Sequence, residues 1–280
     1  MSLISTAARI HPSSVVEDGA QIGAGSEIGP FCHISSQAVL RENVRLVSHV
    51  SIIGDTFIGE GTQVWPNAVL GGSPQNKSHK GGPSKLTIGR NNVIREMVTI
   101  QAGTDNARGI TTVGDDGYFM AYSHIAHDCD VGNAVTFANQ ATLGGHCQIG
   151  DGVIIGGLTA VHQFNVIGHH AFLGGCSAIA GDVIPFGMAT GNKAKLRGLN
   201  VIGLKRAGVV RSEIVAMRKA LKMLFDPART MRENATVVLD QFPDIQAISE
   251  IVEFATGERK RFLVVPPGVG GRGEEPDSGE

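Results

Sequence analysis

Aromatic residues are scarce in this chain of 280 residues: one Trp, two Tyr and eleven Phe, 5% of the whole. That mix fits a compact α/β enzyme poorly and suits an interior of small aliphatic layers. Long apolar runs are missing too. No stretch approaches the roughly 18 consecutive apolar residues of a membrane span. The opening MSLISTAARIHPSSVVEDG has no apolar h-region behind a basic start. Neither a secretory leader nor stable membrane insertion is therefore expected. Charge of one sign is also lacking: the formal net charge is −2, which gives no general attraction to nucleic acid or anionic lipid. The four cysteines, Cys32, Cys129, Cys147 and Cys176, show no CxxC or zinc-ribbon spacing. Reduced thiols in the cytoplasm are the expected setting.

What the chain has in plenty is glycine, 38 residues, within a hydrophobic share of 42%. The order of the aliphatics is periodic. From Ile10 one returns at every sixth position through Val16, Ile22, Ile28, Ile34, Leu40, Leu46, Ile52, Ile58, Val64 and Leu70. The run resumes at Ile88, Ile94 and Ile100 and, after a phase break, continues from Val113 to Ile179. Four residues after the aliphatic sits a small side chain, as at Ser26, Ala38, Val50, Thr62 and Val153. A period of six is neither a helical stripe nor a long alternating strand. It fits short strands joined by tight turns, three to a triangular coil of about 18 residues, with coils stacked roughly 4.8 Å apart. Cys32, Cys129 and Cys147 fall on the small inward site; Cys129 and Cys147, one coil apart, read as reduced core thiols rather than a disulfide.

The expected architecture is an all-β solenoid over residues 1–190, with surface loops near 71–87 and 102–112. Polar, turn-rich loops of that length tend to carry function. A small helical C-terminal domain is expected over 191–262, with Ser212 capping EIVAMRKALKMLF and two further helices near 230–242 and 244–256, separated by Pro243. Residues 263–280 read as a disordered tail.

In such a coil, residues 18 apart are vertical neighbours, so Ile125, Leu143 and Val161 form one line. His124 and His127 flank Ile125, His146 follows Leu143, and His162 follows Val161, gathering four of the ten histidines along one edge. Three uses compete: a structural ladder of polar side chains, a zinc site like that of β-helical carbonic anhydrases, and a general base acting on a hydroxyl.

The segment SHIAHDC followed by VGN, with NQATLGGHCQIGD, IIGGLTAVHQF, GGCSAIAGDV and GNKAKLRGLNVIGLKRAG, resembles the UDP-N-acetylglucosamine acyltransferases of lipid A synthesis. The likeness runs in order from about residue 10 to about residue 262. It implies a left-handed parallel β-helix of hexapeptide repeats, a homotrimer, and acyl transfer from acyl carrier protein to the 3-position of a UDP-sugar acceptor. It implies neither a metal nor an organic cofactor. By the same resemblance His127 is the general base, Asp128 its orienting partner and the Gly145 amide the oxyanion donor. Orientation of His127 by its neighbour requires a turn there, because adjacent strand residues face opposite ways. His124, His146, His162 and Gln163 match positions around the sugar and acyl chain, Gly175 a position limiting chain length, and Asn200 and Arg206 nucleotide-binding positions.

There are departures from the family pattern. The first loop of the family presents an Asp and a Lys, where this chain has Asn76 and Ser78. Ile202 and Ala207 also replace an acidic residue and a second Arg. A 3-amino sugar nucleotide acylated on nitrogen therefore stands as a variant acceptor. Two related families fit less well: the lipid A N-acyltransferases carry an N-terminal domain before repeats that here begin at Ile10, and β-helical pyrophosphorylases need a preceding nucleotide-binding domain.

Overall fold

The computed structural model describes residues 3–269. Two-residue strands alternate with two-residue turns, and each strand pairs in parallel with the strand one coil on, as Ile10 with Ile28, Ile22 with Leu40 and Ile34 with Ile52. Among the described residues this yields three sheets, of nine, eleven and nine strands, forming the faces of a left-handed parallel β-helix. The periodic aliphatics from Ile22 onward are buried, and so is the small set Ser26, Ala38, Val50, Thr62 and Val153. Each aliphatic fully withdrawn from water contributes about 1.5–3 kcal/mol before the entropy of ordering is counted. Cys32, Cys129 and Cys147 are buried and free.

The insertions explain the phase of the repeat. Ile58 pairs with Ile88, twelve residues more than a coil's 18, whereas Ile100 pairs with Ile125, seven more. Twelve is a multiple of six and leaves the phase intact; seven shifts it by one. The loops are shorter than expected, because Lys85–Ile88 and Ile110–Val113 are strands paired with each other. Both insertions leave the same edge of the prism, just before the coils whose turns there are His127–Asp128, Gly145–His146 and Gln163–Phe164. A second edge carries turns such as Asn133–Ala134 and His169–His170, and a third carries Ala121–Tyr122 and Gly175–Cys176.

The last coil is covered by chain that leaves the repeat. Gly187–Thr190 lies parallel on Phe172–Leu173 and is joined by the antiparallel strand Lys195–Leu199. The amide of Ala178 donates to Gly191 O, and that of Ala194 to Ala178 O. Four helices follow: α1 (Val201–Arg206), α2 (Arg211–Leu224), α3 (Met231–Gln241) and α4 (Gln246–Thr256). Ser212 does not cap α2; the cap is Val210, with no side-chain bond, and Ser212 lies inside the first turn. Thr230 and Glu233 form a reciprocal capping box at α3. Ile214, Met217, Leu221 and Leu224 of α2, Val238 of α3, and Ile248, Ile251 and Val252 of α4 are buried.

The first residues assigned to the tail are held instead. Val264 N donates to Asp182 O, Leu196 N donates to Val265 O, and both valines are buried. Residues 270–280 of that tail lie outside the described residues. Among the described residues no helix is long and apolar enough to cross a membrane.

Candidate active site

His127 and Asp128 are adjacent in sequence, and a strand would turn them apart. They lie in a turn instead, and Asp128 has φ +59°, a left-handed conformation that Asp tolerates better than most residues. His127 Nδ1 therefore reaches Asp128 Oδ2 at 2.8 Å. The carboxylate is gripped by the second loop: Thr104 Oγ1 donates to Oδ2 at 2.7 Å, and the amides of Thr104 and Gly109 donate to Oδ1 at 3.0 and 3.1 Å. Thr111 Oγ1 accepts the Asp128 amide at 2.8 Å. Burial pushes the Asp128 pKa up, but hydrogen bonds from Thr104 and His127 outweigh it and hold the carboxyl below the usual range. An ionised carboxylate only accepts, so His127 Nδ1–H is the donor to it, which in the neutral ring leaves the lone pair on Nε2.

The next coil completes the corner. A Cβ on Gly145 would lie 2.7 Å from His127 Cε1 and 2.9 Å from Nε2, so only glycine leaves room for the ring. Its buried amide has no acceptor among the described residues, which leaves an N–H beside the imidazole for a ligand oxygen. His146 meets His127 edge-on at 5.0 Å and stacks on Phe164 at 4.5 Å. Burial lowers the His146 pKa, aided by His127 and opposed by Asp128, whose Oδ2 is 3.9 Å from Nδ1. His124 pairs through Nδ1 with Thr99 Oγ1 at 2.7 Å, and burial, then His127, lower its pKa. His162 and Gln163 lie one coil further on, under the segment after α4: Arg261 reaches His162 Nδ1 at 2.8 Å and Gln163 O at 3.0 Å.

A cleft of about 950 Å³ opens beside this corner, between loop residues Asn76, Ser78 and Arg108, the floor of Asp128, His146 and Phe164, and the segment 258–260. Asn76 Oδ1 accepts both the amide and the hydroxyl of Ser78, and Asn106 Nδ2 donates to Ser78 Oγ. These residues make an uncharged wall. The two loops are clasped together by Asp105, which meets His79 Nδ1 at 3.1 Å and accepts the Lys80 and Gly82 amides.

Three candidates lie elsewhere in the chain. Gly175 is on the third edge, at the far side of the face that ends at His127, where its strand Ala178–Ile179 lies three rungs from His124–Ile125. Asn200 is on the second edge, where its Nδ2 donates to His170 O and its Oδ1 caps α1 through the Gly203 amide. Arg206 is exposed in the last turn of α1. One chain thus spreads the candidate residues over three edges.

His127, Asp128 and His146 bring ligand atoms within 4.8 Å of one another, the donor types a zinc ion takes. The set is already engaged, however, because the Asp128 oxygens receive the Thr104 hydroxyl, two amides and the His127 ring. These bonds orient the His127 imidazole. Sequence reasoning missed Thr104, Thr111, Phe164 and Arg261. Phe164 was within reach, lying 18 residues after His146 in the quoted AVHQF segment.

Several known proteins resemble this chain. A model of the UDP N-acetylglucosamine O-acyltransferase family, its second domain, matches residues 182–263. The acyl-[acyl-carrier-protein]–UDP-N-acetylglucosamine O-acyltransferase of Mesorhizobium japonicum is 58% identical over 268 residues, 96% of each chain. The protein of that name from Bartonella bacilliformis is 51% identical over 258 residues, 92% of this chain and 94% of its own. In three dimensions the UDP-N-acetylglucosamine acyltransferase from Campylobacter jejuni matches with a TM-score of 0.85 at 38% identity, over 92% of this chain and 99% of that one. The Arabidopsis enzyme gives 0.80 at 32% identity, over 90% and 99%.

Proposed function

The chain belongs to the UDP-N-acetylglucosamine O-acyltransferase family, and from that premise we propose how its own residues carry out the reaction. It is an O-acyltransferase that moves an acyl chain from acyl carrier protein to the 3-position of UDP-N-acetylglucosamine, the first step of lipid A synthesis. His127 Nε2 takes the proton of the sugar 3-hydroxyl as that oxygen attacks the thioester carbonyl. Asp128 holds the ring and stabilises the imidazolium, which returns the proton to the departing thiolate. The Gly145 amide receives the oxyanion of the tetrahedral intermediate. His124, His146, His162 and Gln163 flank the reacting groups. The observation that carries this reading is the 2.8 Å contact of His127 Nδ1 with an Asp128 held in place by Thr104.

The scattered candidates motivate the assembly. Gly175, Asn200 and Arg206 reach the histidine edge if a neighbouring copy supplies them, as a three-fold trimer allows. Phe31, Met97, Tyr122 and Leu158 support this: all are exposed, and all sit at turns of the third edge, an apolar stripe suited to burial against another copy. Gly175 then sets the end of the acyl groove, about 14 Å along the axis from His127 at three strand spacings. The cytoplasm, where thiols stay reduced, is the compartment assigned to it. The uncharged wall of Asn76 and Ser78 favours a second acceptor: with no carboxylate on that wall to hold a cationic amine, a neutral 3-amino sugar nucleotide is used at least as well.

The test is turnover of UDP-N-acetylglucosamine and its 3-amino analogue with a series of acyl carrier protein thioesters, with and without chelator. Transfer that survives chelation is expected. Activity abolished by chelation and restored by zinc would replace the acid–base reading with the metal one. A preference of tenfold or more for the hydroxyl acceptor, about 1.4 kcal/mol, would remove the amino variant. Sedimentation of the purified protein at the mass of a monomer would remove the trimer.

A further inference from the structure

The cleft beside His146 holds three cationic side chains, and two are already committed. Arg108 donates to Cys129 O at 3.0 Å and stands 3.3 Å from Asp130. Arg259 spends Nη2 on the carbonyls of Phe254, Ala255 and Gly257 at the end of α4, while its buried Nη1 has no hydrogen-bond partner among the described residues. The third, Lys260, has no carboxylate partner among the described residues, although Asp128, Asp130 and Glu258 also line the cleft. Its ammonium sits 5.5 Å from the centre of the Phe164 ring, on which His146 stacks. The field of that ammonium is one of the influences, after burial, lowering the His146 pKa.

Its position is built, not incidental. Arg259 ties the preceding residue to the end of α4, and Arg261 ties the following one to His162 and Gln163. Residue 260 is thus presented to the cleft from a segment anchored on each side. Across from it, Asn76, Ser78 and Asn106 offer only neutral groups. A cation left unpaired at the rim of a reaction corner, facing a neutral wall, is suited to an anionic part of a ligand.

We infer that Lys260 binds a phosphate ester of a bound substrate in this cleft. The inference rests on the acyl-transfer reading, in which two reactants bring such a group: the diphosphate of the sugar nucleotide and the phosphodiester of the carrier protein's pantetheine arm. Arg261 contributes by holding the segment after α4 to His162 Nδ1 and Gln163 O.

The experiment measures kcat and both KM values for the full-length enzyme and for Lys260→Met and Lys260→Arg, with circular dichroism confirming that each is folded. Turnover by the unaltered enzyme tests the reaction itself, so failure there is separate from failure of this inference. For Lys260→Met we expect about a tenfold rise in one KM with kcat within about twofold, the size of one charge-assisted contact, and substantial recovery in Lys260→Arg. A rise in KM for UDP-N-acetylglucosamine, matched by weaker calorimetric binding of UDP, assigns the diphosphate. A rise for acyl carrier protein that vanishes with an acyl-pantetheine lacking phosphate assigns the carrier arm. Both KM values unchanged within twofold, or a fall in kcat alone, would overturn the inference.

Discussion

The first and second edges of the prism are made from the same turn and put it to opposite uses. On the second edge the polar side chains serve the stack. The Arg90 amide donates to Asp115 Oδ1, the Asp115 amide to Asn133 Oδ1, and the Asn133 amide to Asp151 Oδ1, each side chain satisfying the coil before it. On the first edge the equivalent bonds leave the stack. Asp128 turns to the loop at Thr104 and Gly109 and to His127, and Gly145 offers no side chain at all. Left-handed backbone is not the mark of the site, since Asn91, Asp116 and Gln140 adopt it as Asp128 does. What separates chemistry from scaffolding here is where the side chains' hydrogen bonds go.

That contrast can be broken by substitution. His127→Ala should lower kcat on the order of 10²-fold or more, the range for a lost general base, with little change in thermal midpoint. Near-normal kcat in this variant, alongside loss of activity in His124→Ala, would move the base to His124. Gly145→Ala comes next, because its Cβ would land 2.7 Å from His127 Cε1 and turn the ring. A fall in kcat of about tenfold or more is expected, since small misplacements at a reacting centre are costly. An unaltered kcat would show that the ring has room this geometry denies it.

Thr104→Val removes the hydroxyl from Asp128 and should cost about tenfold in kcat, the range for an outer-shell partner, with Thr104→Ser restoring most of it. The same variant has a pH signature. Asp128 titrates below its ordinary range, so its stabilising contribution is present above the unfolded carboxyl pKa of about 3.9 and is lost as pH falls through the lower folded value. Removing a bond that lowers the pKa narrows that window. Urea titrations should therefore separate the two proteins more at pH 7 than at pH 3, and equal separations would remove Thr104 from the account. The smallest catalytic effect belongs to Asn133→Ala on the second edge. Stability should drop by about 1 kcal/mol for an amide left without its partner, while kcat stays within twofold. A large loss of activity there would erase the distinction between the edges.

Much of this was legible in the sequence because the fold is periodic. A buried aliphatic every sixth residue and vertical neighbours 18 apart place Ile125, Leu143 and Val161, and with them the histidines, before any coordinates. The need for a turn at His127–Asp128 was readable for the same reason. Periodicity is silent about what breaks it. Thr104 lies in an insertion whose path no repeat dictates, and Arg261 meets His162 across 99 positions of sequence that include four helices. Ser212 looks like a cap, whereas α2 starts at Arg211, with an exposed Val210 in the cap position and Val209 just before it packed against the core. The tail was drawn too early, since Pro266 and Pro267 advertise irregularity while Val264 and Val265 just before them are buried.

A stack of identical parallel rungs has no internal reason to stop, and an open final rung would template another molecule as readily as another coil. Here the last rung of each sheet is occupied by chain with a different geometry. The hairpin Gly187–Leu199 runs one strand against the grain, Gly191 and Ala194 take the groups of Ala178, and Val183 and Leu263 close the remaining side. The C-terminal segment thus works as a chain terminator in the polymer sense. It ends growth along the axis at that end of the stack.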